Sequence, residues 1–115
     1  GGRAGSPSRN LAATEEYDPA KDTWIVRRPL PAPRSGLAAA ILRGRIYAFG
    51  GEDAARAFDT NEEYDPAQDA WLTRAPMQSP RHGLAALTIG ETIFLLGGGP
   101  TAGASQTGAN ETFVY

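Results

Sequence analysis

Cysteine is absent from this 115-residue chain, and histidine and methionine occur once each. The first absence excludes disulfides and thiolate chemistry, while leaving the cellular compartment open. A lone histidine is weak support for a metal site or a catalytic base. Net charge is small as well. The formal net charge is −2 and the pI is near 5.3, so no basic field draws in phosphate backbones and no nucleic-acid partner is expected. No apolar run approaches the length that spans a bilayer, so no membrane association is expected. The opening GGRAGSPSRN lacks the apolar core of a secretion signal.

What the chain does have is a repeat. Glu62–Trp71 reads EEYDPAQDAW, and Glu15–Trp24 reads EEYDPAKDTW. Trp71 follows Trp24, Arg81 follows Arg34 and Gly97 follows Gly50 by the same 47 residues. That period falls in the band of propellers and solenoids, whose units need neighbours to bury their faces. Each unit reads as four short strands joined by tight or polar links, and nothing in it reads as a helix. Asp18-Pro19-Ala20-Lys21-Asp22 is a tight turn, with proline presetting φ and aspartate accepting local N–H groups. Arg43-Gly44 and Gly90-Glu91 are two-residue hairpin turns. The diglycines Gly50-Gly51 and Gly97-Gly98 close a strand, where a missing Cβ permits unusual φ or close approach of a neighbouring backbone. The stretch from Arg3 to Arg9 is Gly/Ser/Pro-rich and reads as a loop. Residues 1–28 hold the third and fourth strands of one unit, 29–75 one complete unit, and 76–115 the first three strands of another.

The order Gly50-Gly51, Tyr64 and Trp71 resembles the kelch repeat, and Gly1-Gly2, Tyr17 and Trp24 repeat that order. The resemblance implies an all-β fold of four-stranded antiparallel blades in a kelch β-propeller, with an incomplete ring in this chain. Such rings commonly hold six or seven blades, so further blades are expected from the rest of the chain. Phe113 departs from the pattern by standing where tyrosine stands in the other units, with no tryptophan after it. The resemblance also implies a protein-interaction scaffold rather than an enzyme, with no cofactor. The alternative it leaves open is a carbohydrate-binding or sugar-isomerising propeller. Kelch relatives that are copper oxidases need histidine and tyrosine ligands with a cysteine-linked tyrosine, which this segment cannot build alone. Several copies closing one ring is a disfavoured architecture, because third strands would be duplicated at the join. With two blade faces uncovered, the segment is expected to be unstable as an isolated monomer.

Repetition also filters candidate sites, since chemistry needs one constellation whereas packing needs the same residue in every blade. Glu15-Glu16 and Glu62-Glu63 superficially suggest paired carboxylates, but they recur, and adjacent strand residues point to opposite faces. Tyr17, Tyr64, Trp24 and Trp71 are expected in the core. Gly97-Gly98-Gly99 lacks the lysine and helix of a phosphate cradle. Asn110-Glu111-Thr112 matches a glycosylation sequon, meaningful only in a eukaryotic secretory setting. Arg34 and Arg81 carry two readings: a blade-to-blade salt bridge or bond to backbone carbonyls, or a ring of guanidinium groups awaiting a partner's carboxylates. In an up-and-down blade, the second-to-third-strand loops and the inter-blade links emerge on one face. Loops that vary on a rigid scaffold are where recognition resides. That face is the expected partner-binding surface, through Arg34, Ser35, Arg81, His82, Glu52, Asp53 and Arg56.

Overall fold

A computed structural model describes residues 1–5 and 9–114, so residues 6–8 of the expected Gly/Ser/Pro loop lie outside it. Among the described residues there is no helix, and the strands run β1 (Arg3–Ala4), β2 (Arg9–Asn10), β3 (Thr14–Asp18), β4 (Thr23–Arg27), β5 (Ala38–Leu42), β6 (Arg45–Phe49), β7 (Asn61–Asp65), β8 (Ala70–Thr73), β9 (Ala85–Ile89), β10 (Thr92–Leu96) and β11 (Asn110–Val114). β5-β6-β7-β8 form one antiparallel four-stranded sheet, here the middle blade. β11-β10-β9 and β3-β4 form the last and first blades, each with fewer strands, and the ring is not closed. β1 and β2 make a separate small hairpin.

Turn chemistry sets the registers. Leu42 pairs with Arg45 around Arg43-Gly44, both with positive φ (50° and 73°), the twist-compatible geometry of a two-residue hairpin. In the last blade only Gly90 of the corresponding Gly90-Glu91 turn takes positive φ, at 58°. The four-residue turns after β3 and β7 end on Asp22 and Asp69 at φ 52° and 50°, a left-handed conformation that aspartate tolerates. Within each, Asp18 or Asp65 accepts the N–H groups of the next turn residues.

Strand alternation gives each blade two faces. Ala40 and Leu42 of β5 and Tyr47 and Phe49 of β6 meet Ile93, Leu95, Ala86 and Phe113 of the last blade, with Leu84 and Met77 filling the seam. The Phe113 ring sits 5.3 Å from Tyr47 and 6.1 Å from Phe49, centroid to centroid. Each such large side chain contributes about 1.5–3 kcal/mol when fully buried. The outer faces have no such cover. Leu87 and Ile89 on the last blade and Trp24 and Val26 on the first are exposed.

The two conserved-looking aromatic pairs therefore part company. Tyr64 is buried and Trp71 half-buried, as expected of core residues, but Tyr17 is exposed and Trp24 is 67% exposed. The expectation of a core position fails for the first pair because no blade lies against its outer side among the described residues. No helix in the described residues is long and apolar enough to cross a membrane.

Candidate partner-binding face

The glycines bring the loops together. A Cβ on Gly50 would sit 2.2 Å from the Arg81 carbonyl oxygen, and one on Gly51 2.8 Å from that of Ser35. No other residue permits that approach, at φ of 62° and 103°. With the backbone so close, the Gly51 N–H donates to the Arg81 carbonyl, and the Arg81 N–H donates to the Phe58 carbonyl. The Gly2 N–H and Arg34 carbonyl, and the Arg34 N–H and Leu11 carbonyl, repeat this lattice one blade earlier. Ser35 then bridges to Glu52, and His82 to Gly99, so inter-blade links and second-to-third-strand connections lie side by side.

Arg34 and Arg81, first among the expected site residues, are fully buried at 0% exposure. Each finds its carboxylate within its own blade rather than across a blade junction. Arg34 Nη1 lies 2.7 Å from Glu62 Oε2 on β7. Arg81 Nη2 pairs with Glu111 on β11, and its Nη1 donates to the carbonyls of Gly97 and Ala109 at 3.0 and 3.1 Å. The expected blade-to-blade salt bridge is thus an intra-blade one, because the link before the first strand folds back over the third. Among the described residues Arg34 Nε and Nη2 have no hydrogen-bond partner. Glu63, beside Glu62, points to the other blade face. Burial works to raise its pKa, but hydrogen bonds from Arg74 and Tyr47 and the charges of Arg74 and Arg45 hold it below the ordinary value. The adjacent glutamates are therefore separate ion-pair anchors, not a catalytic dyad.

Glu52 is the hub of the face. It is buried, its carbonyl accepts from Asn10 Nδ2 at 3.0 Å, and its Oε2 accepts from the Gly103 N–H at 2.7 Å. His82 Nε2 lies 3.6 Å from that same Oε2 and 2.9 Å from the Thr101 carbonyl. Ser105 Oγ is 3.5 Å from His82 Nε2 and donates to the Thr101 carbonyl at 2.7 Å. A serine, a histidine and a carboxylate are thus together, yet both partners face one ring nitrogen. A relay needs the acid on one nitrogen and the hydroxyl on the other, so the geometry does not support a nucleophilic triad. Among the described residues no three His, Cys, Asp or Glu side chains gather as a metal site.

Half-buried Asp53 and exposed Arg56 form the tip. Asp53 Oδ1 accepts from the Ala55 and Arg56 N–H groups at 2.8 and 2.9 Å, and these bonds hold its pKa below the ordinary carboxylate value. The Arg56 guanidinium stacks over Phe58, 5.0 Å from the ring centre. The tip is consequently a stiff turn presenting both charges. Sequence reasoning missed Glu111, although it stands at the Glu62 position once the two-residue insertion is allowed for. It also missed Asn10, Gly103 and Ser105, which lie in non-repeating segments and carry no periodic signal.

Comparison with known proteins agrees with this geometry. Residues 33–78, spanning the middle blade, match the kelch motif. Kelch-like protein 1 of Mus musculus is 42% identical over 53 residues, covering 46% of this chain and 7% of that protein. The chain thus spans a small fraction of the relative's length. The middle blade of this chain matches the kelch motif, and its repeat is similar to the kelch repeat.

Proposed function

We propose that this segment is a non-enzymatic scaffold that holds a protein partner on the face formed by the inter-blade links and the second-to-third-strand connections. The kelch motif in the middle blade supports an interaction role of the propeller type. The observation that carries the finer reading is the stiff Asp53–Arg56 tip raised on a buried framework. On this reading Asp53 and Arg56 touch the partner, with His82 at the rim. Arg34, Ser35, Glu52 and Arg81 act from beneath: they are buried and fix where the loops stand. Ordering cost is small on such a surface, because the loops lose little freedom when a partner docks.

The test is a charge reversal at the tip of the full-length protein, Asp53→Lys with Arg56→Glu, followed by quantitative cross-linking of bound proteins against wild type. Loss of specific partners with unchanged thermal unfolding is expected. Unchanged partners, or saturable binding on a glycan array that the double variant abolishes, would overturn the protein-scaffold reading.

A further inference from the structure

Arg34 and Arg81 hold equivalent places in neighbouring blades, and their guanidinium groups are bonded differently. Arg81 Nη1 reaches the carbonyls of Gly97 and Ala109, and Nη2 reaches Glu111, so only Nε is left without a partner. The corresponding carbonyls in the middle blade are those of Gly50 and Thr60, drawn together where the Gly50 N–H donates to the Thr60 carbonyl at 2.9 Å. Among the described residues, Arg34 bonds to neither of them. Its Nη1 faces Glu62 Oε2 at 2.7 Å and the Ala32 carbonyl at 3.5 Å, while Nε and Nη2 have no partner. Those two nitrogens direct their N–H groups from one edge of the planar guanidinium, where both can reach a single acceptor. Arg34 is 0% exposed, and the Gly51 backbone lies against its stem, where a Cβ would be 3.2 Å from Arg34 Cγ and Cδ.

A second unpaired group stands beside that edge. Position 60 is threonine, where the first and last blades have Ala13 and Ala109. Thr60 Oγ1 is buried and has no partner. Thr60 lies two residues before Glu62, so strand alternation puts both side chains on the blade face that Arg34 covers. We propose that this edge and this hydroxyl bind one ordered water, which accepts from Arg34 Nε and Nη2 and donates to Thr60 Oγ1. Three polar partners are the usual complement of a buried water. An ion fits worse. Glu62 already neutralises Arg34, so an added anion would lie uncompensated near a carboxylate, and a cation would face the guanidinium. The water takes the place of the direct carbonyl bonds that Arg81 makes. It ties Arg34 to the residue at which the 51–59 loop runs into β7.

Crystallography of the full-length protein, at a resolution that shows ordered water, tests the site. One peak is expected about 2.7–3.2 Å from both Arg34 Nη2 and Thr60 Oγ1, and none at the corresponding point between Arg81 and Ala109. Thr60→Val keeps the side-chain shape without the hydroxyl and should lose the peak, whereas Thr60→Ser should retain it. In solution, the Arg34 Nε–H resonance should show cross-relaxation with a long-lived water, and Thr60→Val should lose that signal. Absence of the peak in wild type, with Arg34 bonded directly to the Gly50 and Thr60 carbonyls or to nothing, would overturn the proposal. So would a peak that survives in Thr60→Val, or an anomalous bromide signal at that point after a soak, which would mean an anion site instead.

Discussion

The two copies of the EEYDP segment fold almost identically and live in different surroundings. In the second, Tyr64 and Trp71 have ring centres 5.0 Å apart at 42°, and the Tyr64 hydroxyl donates to Asp69 Oδ1 at 2.7 Å. In the first, Tyr17 and Trp24 are 5.0 Å apart at 41°, with the same 2.7 Å bond to Asp22. Among the described residues, only the second is occupied. Asp69 also accepts the Arg28 N–H at 2.8 Å, and Trp71 Nε1 donates to the Arg28 carbonyl at 2.9 Å. Local sequence thus builds the tyrosine–aspartate–tryptophan clasp by itself, through a strand pair and one left-handed aspartate. What the clasp contributes to stability is decided by the neighbouring blade that enters it.

The sharpest way to break that comparison is at the diglycines. Gly50→Ala drives a Cβ into the Arg81 carbonyl and should cost roughly 3 kcal/mol or more, by separating the middle and last blades. Gly97→Ala meets nothing closer than the Thr107 carbonyl at 3.8 Å. It should pay only for its positive φ, about 1–2 kcal/mol in urea unfolding. Equal costs would mean that backbone conformation, not blade contact, selects the pair. Arg81→Met leaves the Glu111 carboxylate and two strand-end carbonyls without their donor, and should lower stability by about 3 kcal/mol.

Next comes the clasp itself. Trp71→Ala should cost about 2–3 kcal/mol through lost packing and the Arg28 bond, whereas Trp24→Ala should cost less than about 1 kcal/mol. The smallest effect is in titration. Burial, followed by the bond to Asp69, pushes the Tyr64 pKa up to about 12. A raised phenol contributes stability that is complete below the ordinary value of about 10 and lost as pH climbs from there toward 12. Absorbance titration of single-tyrosine variants should find Tyr64 ionising after Tyr17. Tyr17 is also raised, chiefly by its bond to Asp22, but without the neighbouring blade.

Much of the fold was legible because repetition marks packing. The diglycines, the hairpin turns, the strand order and the absence of helix all follow from residues that recur at one spacing. The site was less legible, for two physical reasons. Repetition cannot report surroundings, so Tyr17 and Trp24 read as core although among the described residues no blade covers them. Nor can it report three-dimensional return. Arg34 reaches Glu62 only because the link before β5 lies over β7, and Arg81 reaches Glu111 in the same way. His82 read as an isolated histidine, because its partners come from Glu52 on another blade and from the non-repeating 99–109 link.

The most direct test of the account is acrylamide quenching of the two tryptophans one at a time, in Trp71→Phe and Trp24→Phe forms of the 115-residue chain, under conditions where circular dichroism shows its strands intact. The clasp comparison predicts that Trp24 is quenched several-fold more readily than Trp71, with the difference abolished by mild urea before global unfolding. Equal quenching of both in the native chain would contradict the claim that a neighbouring blade, and not the repeat itself, decides what the clasp holds.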